Sequence, residues 1–250
     1  MRDAARIAYA QARAQARFGD RPEESLWREL EAGRDLQHLV EMVRGSLWRG
    51  AVESLPASVE PHQLESRLRA HWEAVCAEVA RWYPAAWAPS LQWLATLPWV
   101  APLAWGERRP EDPSWAEEDP LLGKTAAAAA LSALADGPLH PLAAGVRKGA
   151  PMAEAWHAHW RDTWPSRHPR ELRALEALDE ALAGWLPGGE DTEPFDALVE
   201  RTEQSVTRLF RRQAGTALAG LALLILLALD HLRLRAALAV ARSFGPARTP

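Results

Sequence analysis

The residue types best able to do chemistry in this chain are three histidines, one acidic run and a single thiol. His157, His159 and His168 lie close together in sequence. Imidazole nitrogens ligate divalent metals and act as bases near neutral pH. His157 and His159 are two positions apart in a segment of helical period, so they leave that helix on nearly opposite faces. His168 lies beyond a proline, and the three are read as solvated or capping side chains. Glu117, Glu118 and Asp119 offer carboxylates to a hard cation, but adjacent acids of this kind form a solvated loop. Cys76 is the only cysteine, which excludes an intramolecular disulfide. It sits in an apolar helical pattern with Leu68, Trp72 and Val79 and reads as a small buried hydrophobe. The chain contains no GxxxxGK[ST] phosphate loop, and no GxGxxG follows a strand. No catalytic residue, cofactor site or metal site is assigned, and the reading is of a protein that is not an enzyme.

Thirteen tryptophans stand out in 250 residues. Most fall where a helical stripe expects a core residue; Trp156, Trp160 and Trp164 at i, i+4 and i+8 are the clearest case. Trp87, Trp93, Trp99, Trp105 and Trp115 follow no helical period. They lie in or beside a proline-rich stretch, where an interface role competes with packing because Trp is enriched at binding hot spots.

The formal net charge is −4, which argues against generic nucleic-acid binding. Nearly all the basic residues are Arg; the lysines are Lys124 and Lys148. From Gln204 onward the charges are Arg208, Arg211, Arg212, Arg233, Arg235, Arg242 and Arg248 against one acid, Asp230. That asymmetry reads either as a solvated helical face with a basic tail or as an arginine surface for an acidic partner or anionic headgroups. The opening residues are interrupted by Arg2, Arg6, Arg13 and Arg17, so no secretory signal is expected.

The elements that must position these residues carry the helical period throughout. Helices are expected from about Asp3 to Phe18, stopped by Gly19; over Glu23 to Leu30; around Leu36, Leu39, Val40 and Val43; and from near Glu60 to Tyr83 on the stripe Leu64, Leu68, Trp72, Val75 and Val79. Residues 98–120 hold five prolines and six acids and read as an irregular acidic connector. Thr125 to Ala135 reads as an Ala-rich helix. Further helices are expected around Trp156 to Trp164, over Leu172 to Leu186, and from Thr192 to Pro194 through Phe210, running on with breaks towards Phe244. The fold class is all-α: a large helical bundle or funnel of related helical units. Its organisation is an N-terminal helical region over 1–97, the connector over 98–120 and a C-terminal helical region over 121–250, packed together as one compact unit.

Ala214 to Leu229 carries no charge. Its length as a helix would be about 24 Å, against roughly 30 Å of bilayer hydrocarbon. It reads first as the buried central helix of the bundle, with a short membrane segment or an oligomer contact as alternatives.

Three stretches, two near the start of the chain and one near its end, together resemble a known family. Tyr9-Ala-Gln-Ala-Arg13-Ala-Gln-Ala-Arg17 resembles the "YAxARVRA" first helix of the d/C family of V-type ATPase coupling proteins. Trp27 to Leu39 is similar to that family's "LxxAxxLxxLL" segment. Asp230-His-Leu-Arg-Leu-Arg-Ala-Ala-Leu-Ala-Val-Ala-Arg242 resembles its closing "ExxNLRxILxxK" helix, with Arg235 matching the family's arginine, Asp230 its acid and Arg242 its terminal base. The resemblance covers about the first ninety residues and the last fifty; the middle does not match, and the chain is shorter than typical members.

The resemblance implies an all-α funnel at the cytoplasmic face of a membrane. There a peripheral, non-enzymatic coupling protein joins an ion-translocating, proton-carrying complex to a soluble partner or rotary stalk. It implies no nucleic acid and no small-molecule substrate. Arg233, Arg235 and Arg242, with Trp99, Trp105 and Trp115, are the candidate partner interface. The competing readings are a diverged adaptor of another ion-transporting complex, a small protein anchored by Ala214 to Leu229, and an enzyme using loop carboxylates or histidines.

Overall fold

The computed structural model describes residues 2–53, 55, 61–108, 137, 139–166, 168–186 and 194–243. The described residues are mostly helical, with no strand among them, as the 3.6-residue periodicity requires. The helices are α1 (Arg2–Gly19), α2 (Glu24–Ala32), α3 (Leu36–Arg44), α4 (Arg49–Val52), α5 (Pro61–Trp82), α6 (Ala88–Trp93), α7 (Leu97–Arg108), α8 (His140–Arg147), α9 (Met152–Asp162), α10 (Pro169–Ala183), α11 (Phe195–Arg212) and α12 (Ala217–Ser243). Two 3₁₀ turns, Ala85–Trp87 and Leu94–Thr96, flank α6.

Local sequence chemistry sets several of the ends. Asp35 caps α3, its Oδ1 accepting from the backbone N–H of Gln37 at 2.9 Å and of His38 at 3.4 Å, which satisfies donors that the first turn leaves open. Pro61 and Pro169 stand in first turns, where no backbone N–H is needed. α11 and α12 are separated by a short turn in which Gly215 has φ +78°, a conformation that costs a Cβ-bearing residue about 1 kcal/mol or more. Its N–H donates to Oε1 of Gln11 in α1 at 2.7 Å.

Helix α12 is the axis of the protein. It packs against α1, α2, α3, α5, α6, α10 and α11. Residues 217–227 are buried on every side, so an all-round apolar stretch is required there: each Leu removed from water contributes roughly 1.5–3 kcal/mol. The helix is long and apolar enough to cross a membrane, and 89% of its apolar window is buried inside the protein. Gly220 lets α12 approach α5 closely, because a Cβ there would lie 2.3 Å from the Tyr83 ring.

The stretch from residue 98 departs from the irregular connector expected of it. Leu97–Arg108 is helix α7, and Trp99, Val100, Leu103 and Ala104 are buried. Pro98 falls in the first turn, where its missing N–H costs nothing. Pro102 falls in the interior, where a proline is unfavourable by itself; packing of the apolar face offsets that cost. Residues 109–120 and the Ala-rich helix expected over 125–135 lie outside the described residues. Trp164 also differs from expectation: α9 ends at Asp162, and Trp164 is buried from the turn that follows, its ring edge-on to Trp160 at 5.6 Å.

Candidate functional site

The polar residues of α12 gather one turn below its fully apolar section. Asp230, Arg233 and Arg235 each find a partner from the N-terminal half of the chain. Arg21, in the loop between α1 and α2, grips Asp230 in a bidentate pair: Nε to Oδ2 at 2.7 Å and Nη2 to Oδ1 at 2.8 Å. It also donates to Glu203 of α11 at 2.9 Å. Burial pushes the Asp230 carboxyl up, against the pull of Arg21.

Arg233 is buried over the Trp27 ring, 4.7 Å from its centroid. It donates to Glu31 at 2.8 Å and to Glu24 at 3.0 and 3.3 Å, both on α2, and the Glu24 carboxyl is held below its ordinary value by this contact. Arg235 pairs with Glu65 of α5. Glu65 lies 3.9 Å from Arg69, whose guanidinium stacks 4.0 Å above the Trp99 ring.

These contacts involve several residues of the expected interface. Arg233 is spent on internal ion pairs and a ring, Arg235 is tied to Glu65, and Trp99 is a buried platform for Arg69. Burial follows from the neighbours: α2 and α5 present acids to the Asp230 to Arg235 stretch of α12, and unpaired guanidinium groups there would be costly. Arg242 is half-buried near the end of α12. Trp105 lies on α7, and Trp115 lies outside the described residues. Among the described side chains of the six, Arg233 and Trp99 are buried and Arg235 and Arg242 are partly exposed.

The histidines separate as their spacing predicted. His159 meets the edge of the Trp93 ring at 4.3 Å, and burial lowers its pKa. His168 caps α10, its Nδ1 accepting from the backbone N–H of Arg170 at 3.3 Å. No group of three or more metal-ligating side chains occurs among the described residues, and Glu117, Glu118 and Asp119 lie outside them.

His157 is not the solvated or capping residue expected. It is buried, with Nδ1 2.5 Å from Oδ1 of Asp179 on α10. Arg161, one turn along α9, donates to Oδ2 of the same carboxylate at 2.6 Å. With a carboxylate facing it, Nδ1 is the nitrogen that donates, and the contact fixes the orientation of the ring. Nε2 is buried without a hydrogen-bond partner among the described residues. One sequence signal was available: Asp179 interrupts the apolar stripe Leu175, Leu178, Leu182, where an acid needs a buried partner.

A second aromatic and histidine group lies beside α12. His231 is nearly fully buried between the rings of Trp48 and Trp72, each 5.7 Å away. Its Nε2–H donates to the Leu68 carbonyl at 3.1 Å. Burial pushes its pKa down to about 4, so the ring is neutral at pH 7. His71 lies edge-on to Trp48 at 5.5 Å, and burial lowers its pKa as well.

One face of this region opens into an apolar cavity of about 100 Å³ lined by α5, α7, the end of α10 and α12, with Arg235 on its wall. Compared with known proteins, the chain matches no family model, no curated sequence and no solved structure.

Proposed function

We propose that this protein is a non-catalytic helical scaffold that couples a membrane-embedded, ion-translocating complex to a soluble partner, as the resemblance to the d/C family of V-type ATPase coupling proteins implies. The observation that carries the reading is the convergence of the resembling segments. α1 and α2, from the start of the chain, and the Asp230 to Arg242 stretch of α12, from its end, pack into one unit. Arg21–Asp230 and Arg233–Glu24 lock them together over a separation of 209 positions each. Asp230, aligned with the family's acid, takes part in that locking, and Arg235, aligned with its arginine, pairs with Glu65 of α5. In this reading they shape the scaffold, and the partner contact falls on the outer face of the last turns of α12, where Ala236, Ala239 and Val240 are exposed.

Affinity capture of the tagged protein from gently solubilised membranes tests the proposal. Co-purification of an ion-translocating membrane protein, lost in Val240→Asp while the helical signal is unchanged, is the expected result. Recovery of soluble metabolic enzymes alone, from membranes whose complexes stay whole, would remove the scaffold reading.

A further inference from the structure

The walls of the cavity beside α12 are fastened from behind. On α12 the wall is Ile225, Ala228, Leu229 and Leu232, the i, i+3, i+4, i+7 stripe of one helix face. Trp72 lines it from α5, Leu97 and Pro98 from α7, and Trp185 from just past the end of α10. It stays open because two lining positions, Ala228 on α12 and Ala101 on α7, bring only a methyl group. The two indoles are held away from that space. Trp72 donates its Nε1–H to the Leu94 carbonyl at 2.9 Å, and Trp185 donates its Nε1–H to Oγ1 of Thr202 on α11 at 3.0 Å. The Trp185 ring also meets the Phe195 ring edge-on, with 5.8 Å between centroids.

The other two polar side chains on the wall are likewise engaged. The His231 Nε2–H is committed to the Leu68 carbonyl, and the ring is neutral at pH 7. Arg235 is tied to Glu65 of α5. The recess therefore offers apolar surface and two fixed indole rings, with no polar side chain on its wall that lacks a partner. A ligand that carried a polar group into it would leave that group unpaired, at a cost. An aromatic ring gains from offset or edge-on contact with indoles beyond the area it buries. The volume of about 100 Å³ is somewhat less than that of an engineered apolar cavity that takes up benzene, and the open mouth lets a ring stand partly outside.

We propose that this cavity binds a small neutral apolar molecule, one aromatic ring in size, between Trp72, Trp185 and Leu229. Selection is by shape and by exclusion of polar groups, and the ligand needs no charge. The site draws on α5, α7, α10 and α12 together, so a bound ring ties the four helices to one another and raises thermal stability by mass action. The proposal is independent of the partner reading above.

Benzene is titrated into the full-length protein by calorimetry and by thermal unfolding, with pyrazine as the control of the same shape. Pyrazine carries a nitrogen acceptor at each end of its ring, so one of them enters the recess without a donor. One-to-one saturable binding of benzene is expected, with a Tm that rises with benzene concentration and with pyrazine weaker by about tenfold or more. Ala228→Phe fills the recess and abolishes binding; Ala101→Phe does the same from the exposed side of the cavity and serves if the first variant melts early. Absence of both saturable heat and a rise in Tm with the folded wild type, equal affinity for benzene and pyrazine, or wild-type affinity in a folded Ala101→Phe or Ala228→Phe variant would each overturn the proposal.

Discussion

Arg21 and Asp230 form a bidentate ion pair in which the aspartate is only 1% exposed and the arginine side chain 9%. A loop near the start of the chain thus supplies the counter-charge for an acid embedded in the central helix. Removing one partner leaves an uncompensated buried charge, while removing both leaves a packing problem alone. Arg21→Ala is expected to cost about 3–5 kcal/mol in urea unfolding. The double change Arg21→Met with Asp230→Leu should recover most of that loss. Additive losses in the two singles and the double would show that the pair is not coupled.

The remaining arginines of α12 answer to the same test. Arg233→Glu sets a third carboxylate against Glu24 and Glu31 in a buried position, and Arg235→Glu sets one against Glu65. Thermal unfolding followed by circular dichroism should show a marked fall in Tm for Arg233→Glu and a smaller one for the more exposed Arg235→Glu. An unchanged Tm in both would return these arginines to the surface role read from the sequence.

His231 makes stability depend on pH in a definite direction. Its folded pKa of about 4 lies below the ordinary value of about 6.5. Between those limits the unfolded chain binds a proton that the folded protein refuses, so stability rises with pH across the window. The contribution is complete above about pH 6.5 and is lost as pH falls towards 4, amounting to roughly 3 kcal/mol. His71 is shifted in the same direction. Urea midpoints measured from pH 4 to 7 should flatten in His231→Gln, whose amide keeps a donor for the Leu68 carbonyl; a profile identical to wild type would refute the assignment.

Tyr83 carries a buried hydroxyl with no hydrogen-bond partner among the described residues, and burial pushes its pKa up. Its ring occupies the space that the missing Cβ of Gly220 leaves. Tyr83→Phe keeps the ring and removes an unsatisfied polar group, so stability should be unchanged or rise by up to about 1 kcal/mol. Gly220→Val should instead destabilise by about 1–3 kcal/mol or more through overpacking. Chemical denaturation of both variants checks the pair, and a large loss in Tyr83→Phe would mean that the hydroxyl is bonded.

The centre of α12 sets the scale of the core. Leu224 is fully buried, and Leu224→Ala should cost about 2–5 kcal/mol. Leu224→Asp should prevent folding, because several kcal/mol are needed to bury an unpaired charge. Near-native melting of the aspartate variant would contradict the buried placement.

The sequence by itself determined where most helices run, because amphipathic periodicity, caps and breakers act within a few residues. Asp35 before Leu36, Gly19 at the end of α1 and the stripe from Leu64 to Val79 are local signals, and the helices follow them to within a residue or two. The sixteen uncharged positions from Ala214 to Leu229 likewise demanded surroundings without water. What covers that helix, and what each charge meets, was decided only by tertiary structure. α7 forms through Pro102 because Trp99, Val100 and Leu103 gain a core to pack against. Arg233 lies inside because α2 brings two glutamates to it across some two hundred residues. His157 meets Asp179 because the fold brings these two residues, one from α9 and one from α10, together. Periodicity reports which face of a helix is apolar, but the partner of a charge depends on distances between helices, and no spacing along the chain contains them.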